Sequence, residues 1–334
     1  MSEERILLGH GSGGRMMHRL IREEMAPAFA VSGFGDAALL PPAGPGRLAF
    51  TTDGYVVSPV FFPGGDIGEL AVNGTVNDLA VSGARPLALS AGFVLEEGLP
   101  LADLRRIVAS MARAARDAGV SVVAGDTKVV GRGSCDRLFI TTAGIGVVPE
   151  GRVLSPREIR PGDAVLVSGH TGSHGIAVMA ERNGLTFEPP VPSDTAALNG
   201  LVEALFATGG AIRLMRDPTR GGLATTLKEF ALESGRRILV READIPVLPG
   251  VRGACDLLGL DPLYVANEGI LIAVVAPDDA AALLAAMRSH PRGRDAALIG
   301  EIGAEGDAKV LLQTAAAGTR ILDMLTGEQL PRIC

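Results

Sequence analysis

The sequence contains no tryptophan, and it has only two tyrosines and three cysteines among 334 residues. The missing tryptophan favours closely packed α/β layers over an aromatic binding surface. The absence of any apolar run of about 18 residues excludes a membrane-spanning helix. The chain also lacks a CxxC pair and any histidine–cysteine cluster, which argues against a structural zinc site.

Charge and targeting signals are equally sparse. The net charge of −7 and the absence of a basic stripe argue against a nucleic-acid partner. Residues Met1–Arg5 lack the apolar stretch of a secretory signal. Three cysteines at unrelated spacings fit a reducing compartment and leave at least one thiol unpaired. We therefore expect a cytoplasmic protein in which Cys135 and Cys255 are structural.

The composition that is present predicts a globular α/β (α+β) protein of two domains. Hydrophobic residues make up 47% of the chain and charged residues 21%, and its length exceeds that of one typical core. Strand-like and helix-like segments alternate through both halves. Residues Val147–Arg160, with two prolines, predict a linker between domains at 1–150 and 151–313. Residues 314–334 are expected to form a flexible tail with a reach of roughly 65 Å.

Two glycine-rich loops precede predicted helices. In the first, His10–Gly14, backbone N–H groups of Gly13 and Gly14 could surround a phosphate. A flexible arm is the alternative, because the loop matches neither GxGxxG nor the P-loop pattern. The second loop carries Asp217 and Arg220 and opens a helix, which also suits an anion.

Acidic residues recur at the ends of predicted strands. Asp36 precedes one short apolar segment and Asp53 follows another, although each dipeptide with glycine is also an ordinary turn signal. The strand Ser121–Ala124 leads directly to Asp126 and Lys128. Ligands gather at such strand ends in α/β sheets, so we predict that these two side chains contact a metal, a phosphate or a substrate oxygen.

One predicted helix, Gly68–Ser82, is apolar apart from three conspicuous polar residues. Asn73 and Asn77 are four positions apart and share a face, with Asp78 beside them. Burying a carboxylate costs several kcal/mol, on the order-of-magnitude argument for ion burial, unless a cation or a donor meets it. The pattern favours a functional helix.

Aspartates from separate elements, without cysteine or histidine ligands, suit a hard cation such as Mg²⁺ carrying a triphosphate. Phosphoryl transfer needs little beyond positioning and charge neutralisation. The Walker lysine of a P-loop is absent, so a different ATP-binding fold is required. The candidate metal ligands are Asp36, Asp53, Asp78 and Asp126.

The end of the chain, Pro331–Cys334, places a thiol on its last residue. Such a thiol can leave the surface, enter a pocket or be presented to a partner. Arg332 supplies a positive charge that could offset the α-carboxylate. The alternative is an ordinary frayed terminus that happens to end in cysteine.

These motifs together resemble the HypE family of hydrogenase maturation factors, carbamoyl dehydratases of the aminoimidazole ribonucleotide synthetase-like superfamily. The aspartate motifs are shared by the superfamily and specify ATP use, whereas the Pro331–Cys334 ending distinguishes HypE. The resemblance covers essentially the whole chain. The segments that carry it are His10–Gly14, Gly35–Asp36, Thr52–Gly54, Asn77–Asp78, Ala124–Lys128, Asp217–Gly222, Asn267–Gly269 and Pro331–Cys334.

The resemblance implies a two-domain synthetase-like fold with mixed sheets, and a homodimer with paired N-terminal sheets and Mg-ATP near their seam. It also implies that a carbamoyltransferase, HypF, carbamoylates Cys334. ATP-dependent dehydration then leaves a thiocyanate, whose cyanide passes to the HypC–HypD complex. The implied nucleotide-binding residues are Gly13, Gly14, Asp36, Asp53, Asn77, Asp78, Asp126, Asp217 and Arg220.

Two further roles follow from the resemblance. Lys128 would orient the γ-phosphate or the carbamoyl oxygen, and Glu268 would be the base, although it could instead cap a turn. A selenophosphate synthetase or thiamine-phosphate kinase is the nearest alternative, but the loop Gly9–Arg15 lacks the cysteine and lysine of the former. A non-catalytic scaffold with a partner-binding cysteine would leave the acidic residues unexplained.

Overall fold

The computed structural model describes residues 5–12, 14–31, 37–325, 327, 330 and 332–334. Two predicted nucleotide-binding residues, Gly13 and Asp36, lie outside this set, as does Pro331. Among the described residues, no helix combines the length and apolar character needed to cross a membrane.

The first domain is built on a four-stranded sheet. Its strands and helices are β1 (Arg47–Tyr55), β2 (Phe61–Phe62), β3 (Gly65–Asp66), β4 (Arg85–Glu96), β5 (Ser121–Val130), β6 (Leu138–Val148), α1 (Arg15–Leu20), α2 (Ala26–Ala28), α3 (Ile67–Val81) and α4 (Leu101–Ala118). The sheet has the order β1-β6-β4-β5, in which β4 and β5 run parallel and the other neighbours antiparallel. A short β2–β3 hairpin leads into α3.

The two long helices of this domain cover one face of the sheet, and their apolar residues form its core. Helix α4 is amphipathic, and its residues Leu104, Ile107, Val108 and Met111, at helical spacing, are all buried. The other face is largely open in the single chain, with Phe50 of β1 74% exposed.

The second domain contains a seven-stranded mixed sheet. Its elements are β7 (Ala164–Val167), β8 (Ile212–Arg216), β9 (Ile238–Arg241), β10 (Ile272–Val275), β11 (Ala297–Ile302), β12 (Val310–Gln313), β13 (Thr319–Leu322), α5 (Ser173–Asn183), α6 (Asn199–Ala207), α7 (Gly222–Ser234), α8 (Pro249–Leu258) and α9 (Ala280–Ser289). The strand order is β13-β12-β9-β11-β7-β10-β8, with only β12 and β9 parallel. Helix α7 packs into the core on one side, and α6 and α9 pack on the other.

The expected α/β architecture is confirmed, but the tail differs from the expectation. Thr319–Leu322, within the predicted flexible segment, form the edge strand β13 against β12. The buried Leu322 side chain packs into the core of the second domain and accounts for this pairing. The domain boundaries themselves stay a prediction.

Helix α3 is buried along almost its whole length, between the first sheet and the second domain. The Asp66 carboxylate caps its N-terminus by accepting from the N–H groups of Gly68 and Glu69 at 2.8 and 3.1 Å. Glycine is required further along, because a Cβ on Gly74 would overlap the hydroxyl of buried Tyr55. The close approach of α3 to β1 therefore depends on a missing side chain.

We expect Gly74→Ala to lower the thermal unfolding midpoint, because the added methyl forces Tyr55 aside at a cost of about 1–3 kcal/mol. Gly253→Ala is the matched control, since a methyl group on this exposed glycine of α8 would meet no heavy atom within 4 Å. It should raise stability by roughly 0.5–1 kcal/mol through helix propensity. Equal midpoints for the two variants by circular dichroism would contradict this packing.

Candidate functional site at the domain interface

The last described residues, Arg332–Cys334 (the C-terminal segment), lie alongside the chain that follows β1. The N–H of Val56 donates to the Cys334 carbonyl at 3.1 Å, and the N–H of Ser58 donates to the Arg332 carbonyl at 3.3 Å. The Arg332 Nε donates back to the Val56 carbonyl at 2.9 Å. The segment is therefore held on the first domain mainly through backbone groups.

The second domain holds the same segment from the other side. A ring nitrogen of His174 lies 2.9 Å from the Ile333 carbonyl, and an Arg182 guanidinium nitrogen donates to the Arg332 carbonyl at 2.7 Å. The Ile333 side chain is only 3% exposed and packs into the first core. Both domains thus fix the position of Cys334.

The Cys334 thiol lies in a negative environment. Burial, followed by the neighbouring charges of Glu268 and Asp53, raises its pKa to about 12, although Arg220 opposes this rise. The sulfur is therefore a protonated thiol at neutral pH while it is docked. Four residues predicted from the sequence, Cys334, Glu268, Asp53 and Arg220, therefore lie in one site.

Glu268 is held by its backbone. The Asp194 carboxylate accepts from the N–H groups of Glu268 and Gly269 at 3.1–3.2 Å. The Asn267 side chain fixes the preceding turn through bonds to the backbone of Gly172 and Pro218. A side chain at Gly269 would overlap the Asp194 backbone, so this Asn-Glu-Gly turn requires glycine.

The Glu268 carboxyl group itself is largely unpaired. It is 2% exposed, and its Oε1 atom has no hydrogen-bond partner in the part of the chain that the structure describes. Burial, followed by the charges of Asp217 and Asp194, raises its pKa well above the ordinary value. A buried, unpartnered carboxyl oxygen is a costly feature that is expected where a ligand completes the site.

Further carboxylates surround Glu268. Burial and the charge of Asp78 raise the pKa of Asp217 to about 7. Burial also raises the pKa of Asp78, although Thr51 donates to that carboxylate at 2.8 Å. Asp53 contributes to the elevated pKa of both groups. In the described part of the chain, no three possible ligands are yet close enough to hold a metal ion.

Asn77 has a different environment from the one expected for nucleotide binding. Its Nδ2 donates to the carbonyls of Ala196 and Glu268, at 3.0 and 3.3 Å, and its Oδ1 accepts from the Leu198 N–H at 2.8 Å. Backbone groups thus use both N–H bonds of the amide and one of the two lone pairs of its oxygen. Asn77 links α3 to the second domain and to the backbone of the predicted base.

Asp126 and Lys128 lie elsewhere. They form an exposed ion pair at 2.6 Å on edge strand β5, and the lysine keeps the pKa of Asp126 below its ordinary value. Two strands separate β5 from β1, which puts Asp126 about 14 Å from Asp53 at a strand spacing of about 4.8 Å. A single chain therefore does not assemble the predicted four-aspartate metal site.

The glycine loops also differ from simple phosphate cradles. Gly14 precedes α1 at an exposed position. Gly222 has a positive φ of 60°, and a Cβ there would overlap the backbone of Leu263 and Val265. This second loop is glycine-rich because it packs against the segment that leads to Glu268, which places Arg220 near Cys334.

Sequence reasoning misses Asp194 and the docking role of His174. Asp194 falls in a proline-rich connection, and its partners Glu268 and Gly269 are 74 and 75 residues away. The loop position of His174 predicts hydrogen bonding within the loop, but its partner at Ile333 carries no sequence signal because the contact is to a backbone carbonyl.

Family comparisons agree with this geometry. Residues 34–148 match the family model of the AIR synthase related protein N-terminal domain, and residues 160–313 match that of the C-terminal domain. The carbamoyl dehydratase HypE of Cupriavidus necator is 55% identical over 99% of this chain and 95% of its own.

Solved structures extend the similarity to three dimensions. A hydrogenase maturation protein HypE in complex with ATP superposes with a TM-score of 0.94 at 51% identity, covering 98% of this chain and 99% of that one. A HypE–HypF complex matches with a TM-score of 0.81 at 48% identity, over 92% of this chain and 99% of that one. The chain therefore belongs to the HypE family of carbamoyl dehydratases, within the AIR synthase related proteins.

Proposed function

We propose that the chain is an ATP-dependent carbamoyl dehydratase of [NiFe]-hydrogenase maturation that acts on its own Cys334. The observation that carries the proposal is the position of the Cys334 sulfur beside the Glu268 carboxyl, whose Oε1 has no hydrogen-bond partner among the described residues, and among other buried carboxylates. The similarity to HypE proteins, one of them crystallised with ATP, supports it.

The reaction starts from a carbamoyl group on the Cys334 sulfur. Its oxygen attacks the γ-phosphorus of ATP, and ADP leaves. The amide oxygen is a poor leaving group, whereas phosphate is a good one, so this step makes the following elimination feasible. Loss of two N–H protons and of phosphate leaves a thiocyanate on the sulfur.

Glu268 is suited to accept an N–H proton. No described residue hydrogen-bonds to its Oε1, and its raised pKa makes it a stronger base than an exposed carboxylate once it is ionised. Fixation of its backbone by Asp194 and Asn77 limits the positions that the carboxyl can reach. Arg220, on the Asp217 loop, is placed to offset charge on the transferred phosphate.

The chemistry of the acidic cluster suits Mg²⁺, although the described side chains would have to move closer together to hold one ion. Asp53, Asp78 and Asp217 supply oxygen ligands. The charge of Asp53 adds to the raised pKa of Asp78, and both charges add to that of Asp217, so a hard divalent cation would relieve the repulsion. We propose these residues as its holders, with Asp36 as the fourth candidate from sequence. The ion would neutralise the triphosphate.

The docked thiol is unsuited to receive the carbamoyl group. Its pKa of about 12 keeps it protonated, and it is mostly buried. We propose that the C-terminal segment leaves the site to meet the carbamoyltransferase HypF in the cytoplasm, which agrees with the HypE–HypF complex solved for a relative. For cyanide transfer to HypC–HypD, the C-terminal segment would have to leave the site a second time.

The open face of the first sheet supports a homodimer. Leu48 and Phe50 are 66% and 74% exposed there. Asp126 and Lys128 lie on the same face, at its edge. Pairing of two such faces would bury this apolar surface and bring Asp126 and Lys128 to the seam, where Lys128 could orient the γ-phosphate.

We expect Glu268→Gln to retain ATP affinity but to slow dehydration by roughly 10²–10⁴-fold, because the amide cannot accept the proton. Intact mass spectrometry after incubation with HypF, its carbamoyl donor and ATP should show the carbamoyl adduct accumulating. Wild-type protein should lose one water from the adduct, and Cys334→Ala should acquire none. Rapid water loss in the glutamine variant would remove Glu268 from the mechanism.

The pH dependence of stability tests the acidic cluster without any ligand. Because the pKa of Asp217 is about 7 when folded and near 3.8 when unfolded, folding is favoured at low pH, and stability falls as pH rises between these values. Asp217→Asn should remove up to about 4 kcal/mol of this decline.

Thermal midpoints at pH 5 and pH 8 measure the part of this decline that lies between those values, about 3 kcal/mol. Asp307→Asn is the control, because its ion partners Arg237 and Lys309 hold the pKa of that carboxyl below the range tested. If the thermal midpoint falls equally in wild type and in Asp217→Asn between these pH values, ionisation of Asp217 is not the cause of the loss of stability.

The dimer is tested by Phe50→Asp, which places a charge on the open apolar face. We expect this variant to elute as a monomer and to bind ATP more weakly. Leu257→Asp, at a 71% exposed position of α8 in the second domain, is the control and should remain dimeric. A dimer that survives Phe50→Asp would place the interface elsewhere.

A further inference from the structure

His174 lies wholly buried at the point where α5 meets the C-terminal segment. One ring nitrogen, Nδ1, is 2.8 Å from the Ser193 hydroxyl, and the other, Nε2, is 2.9 Å from the Ile333 carbonyl. The ring edge also contacts Phe62, with the centroids 5.4 Å apart. Three different segments therefore meet at this imidazole.

The hydrogen bonds define the tautomer. A carbonyl only accepts, so Nε2 must carry the proton that bonds Ile333. The Ser193 oxygen already accepts from the Thr195 N–H at 3.1 Å, and its own proton can point to Nδ1. Burial lowers the pKa of His174 to about 4, which keeps this neutral form at physiological pH.

The same turn connects His174 to the base. Backbone N–H groups of His174, Glu268 and Gly269 all stabilise the ionised Asp194 carboxylate, which adjoins Ser193. The imidazole thus holds the carbonyl next to Cys334, while its own backbone shares an anchor with Glu268. These hydrogen bonds therefore fix the positions of both Cys334 and Glu268.

We propose that His174 is a positioning residue for the dehydration step: its Nε2–H seats the Ile333 carbonyl so that the group on the Cys334 sulfur is presented to Glu268. The bond is to the backbone, so it is independent of whether the sulfur carries hydrogen, carbamoyl or thiocyanate. The inference rests on the proposed function, but the seating itself is measurable without any catalysis.

The test measures the alkylation rate of Cys334 by iodoacetamide in the full-length protein, with peptide mass spectrometry to separate it from Cys135 and Cys255. His174→Asn retains a polar group near Nδ1 but does not reach Ile333. His174→Gln places an amide N–H near the Nε2 position and can restore the bond. His170→Asn, on the same loop, is the matched control.

We expect His174→Asn to raise the alkylation rate about tenfold, as loss of one buried hydrogen bond allows. His174→Gln should stay within about threefold of wild type, and His170→Asn should match wild type. Single-turnover dehydration should slow in the same order at unchanged ATP affinity. If His174→Asn folds poorly, Ser193→Ala, which frees the ring to rotate, should give an intermediate increase.

Two results would overturn the proposal. One is a Cys334 alkylation rate in His174→Asn and Ser193→Ala that equals the wild-type rate. The other is an alkylation rate in His174→Gln as high as in His174→Asn, which would indicate that His174 has a packing role alone. If the alkylation order holds but wild-type protein performs no dehydration, the seating role stands and the proposed function fails.

Discussion

Buried negative charge between the two domains is the constraint on which the rest of the structure depends. Glu268 and Asp217 are removed from water. Burial raises the pKa of each, the charge of Asp78 adds to that of Asp217, and the charge of Asp217 adds to that of Glu268. Such an arrangement costs folding free energy unless protons or cations bind, so it is expected only where a ligand requires it. It also explains why the docked Cys334 stays a thiol: a thiolate there would add one more negative charge.

Docking of the C-terminal segment solves a second problem, which is how one site can accept a sulfur in several chemical states. The segment is held by the carbonyls of Arg332 and Ile333 and by the Ile333 side chain. None of these contacts involves the sulfur itself. The thiol can therefore be exchanged for a modified sulfur without loss of the bonds that place it, and the high pKa of the docked thiol separates the loading step from the dehydration step.

Sequence reasoning finds residues whose surroundings are unusual locally. Asp78 stands out because it lies on an apolar helix, and Asp53 and Glu268 because each is followed by glycine at a strand boundary. It does not find Asp194 or the Ile333 contact of His174, since these depend on backbone groups brought together from distant segments. It also groups Asp126 with Asp53, because strand order, which separates them, is not visible in the pattern of one chain. The two-domain α/β fold follows from alternating periodicity, whereas the edge strand β13 is hidden by the glycine- and polar-rich character of its neighbours.

In the proposed mechanism, the carbamoyl oxygen on Cys334 leaves this site as part of inorganic phosphate. The most direct measurement is single turnover of protein carrying an ¹⁸O-labelled carbamoyl group on Cys334, with mass analysis of the inorganic phosphate released after ATP is added. Transfer of the carbamoyl oxygen to phosphate would leave one ¹⁸O atom in each phosphate formed. Unlabelled phosphate, with the label released to water, would contradict it.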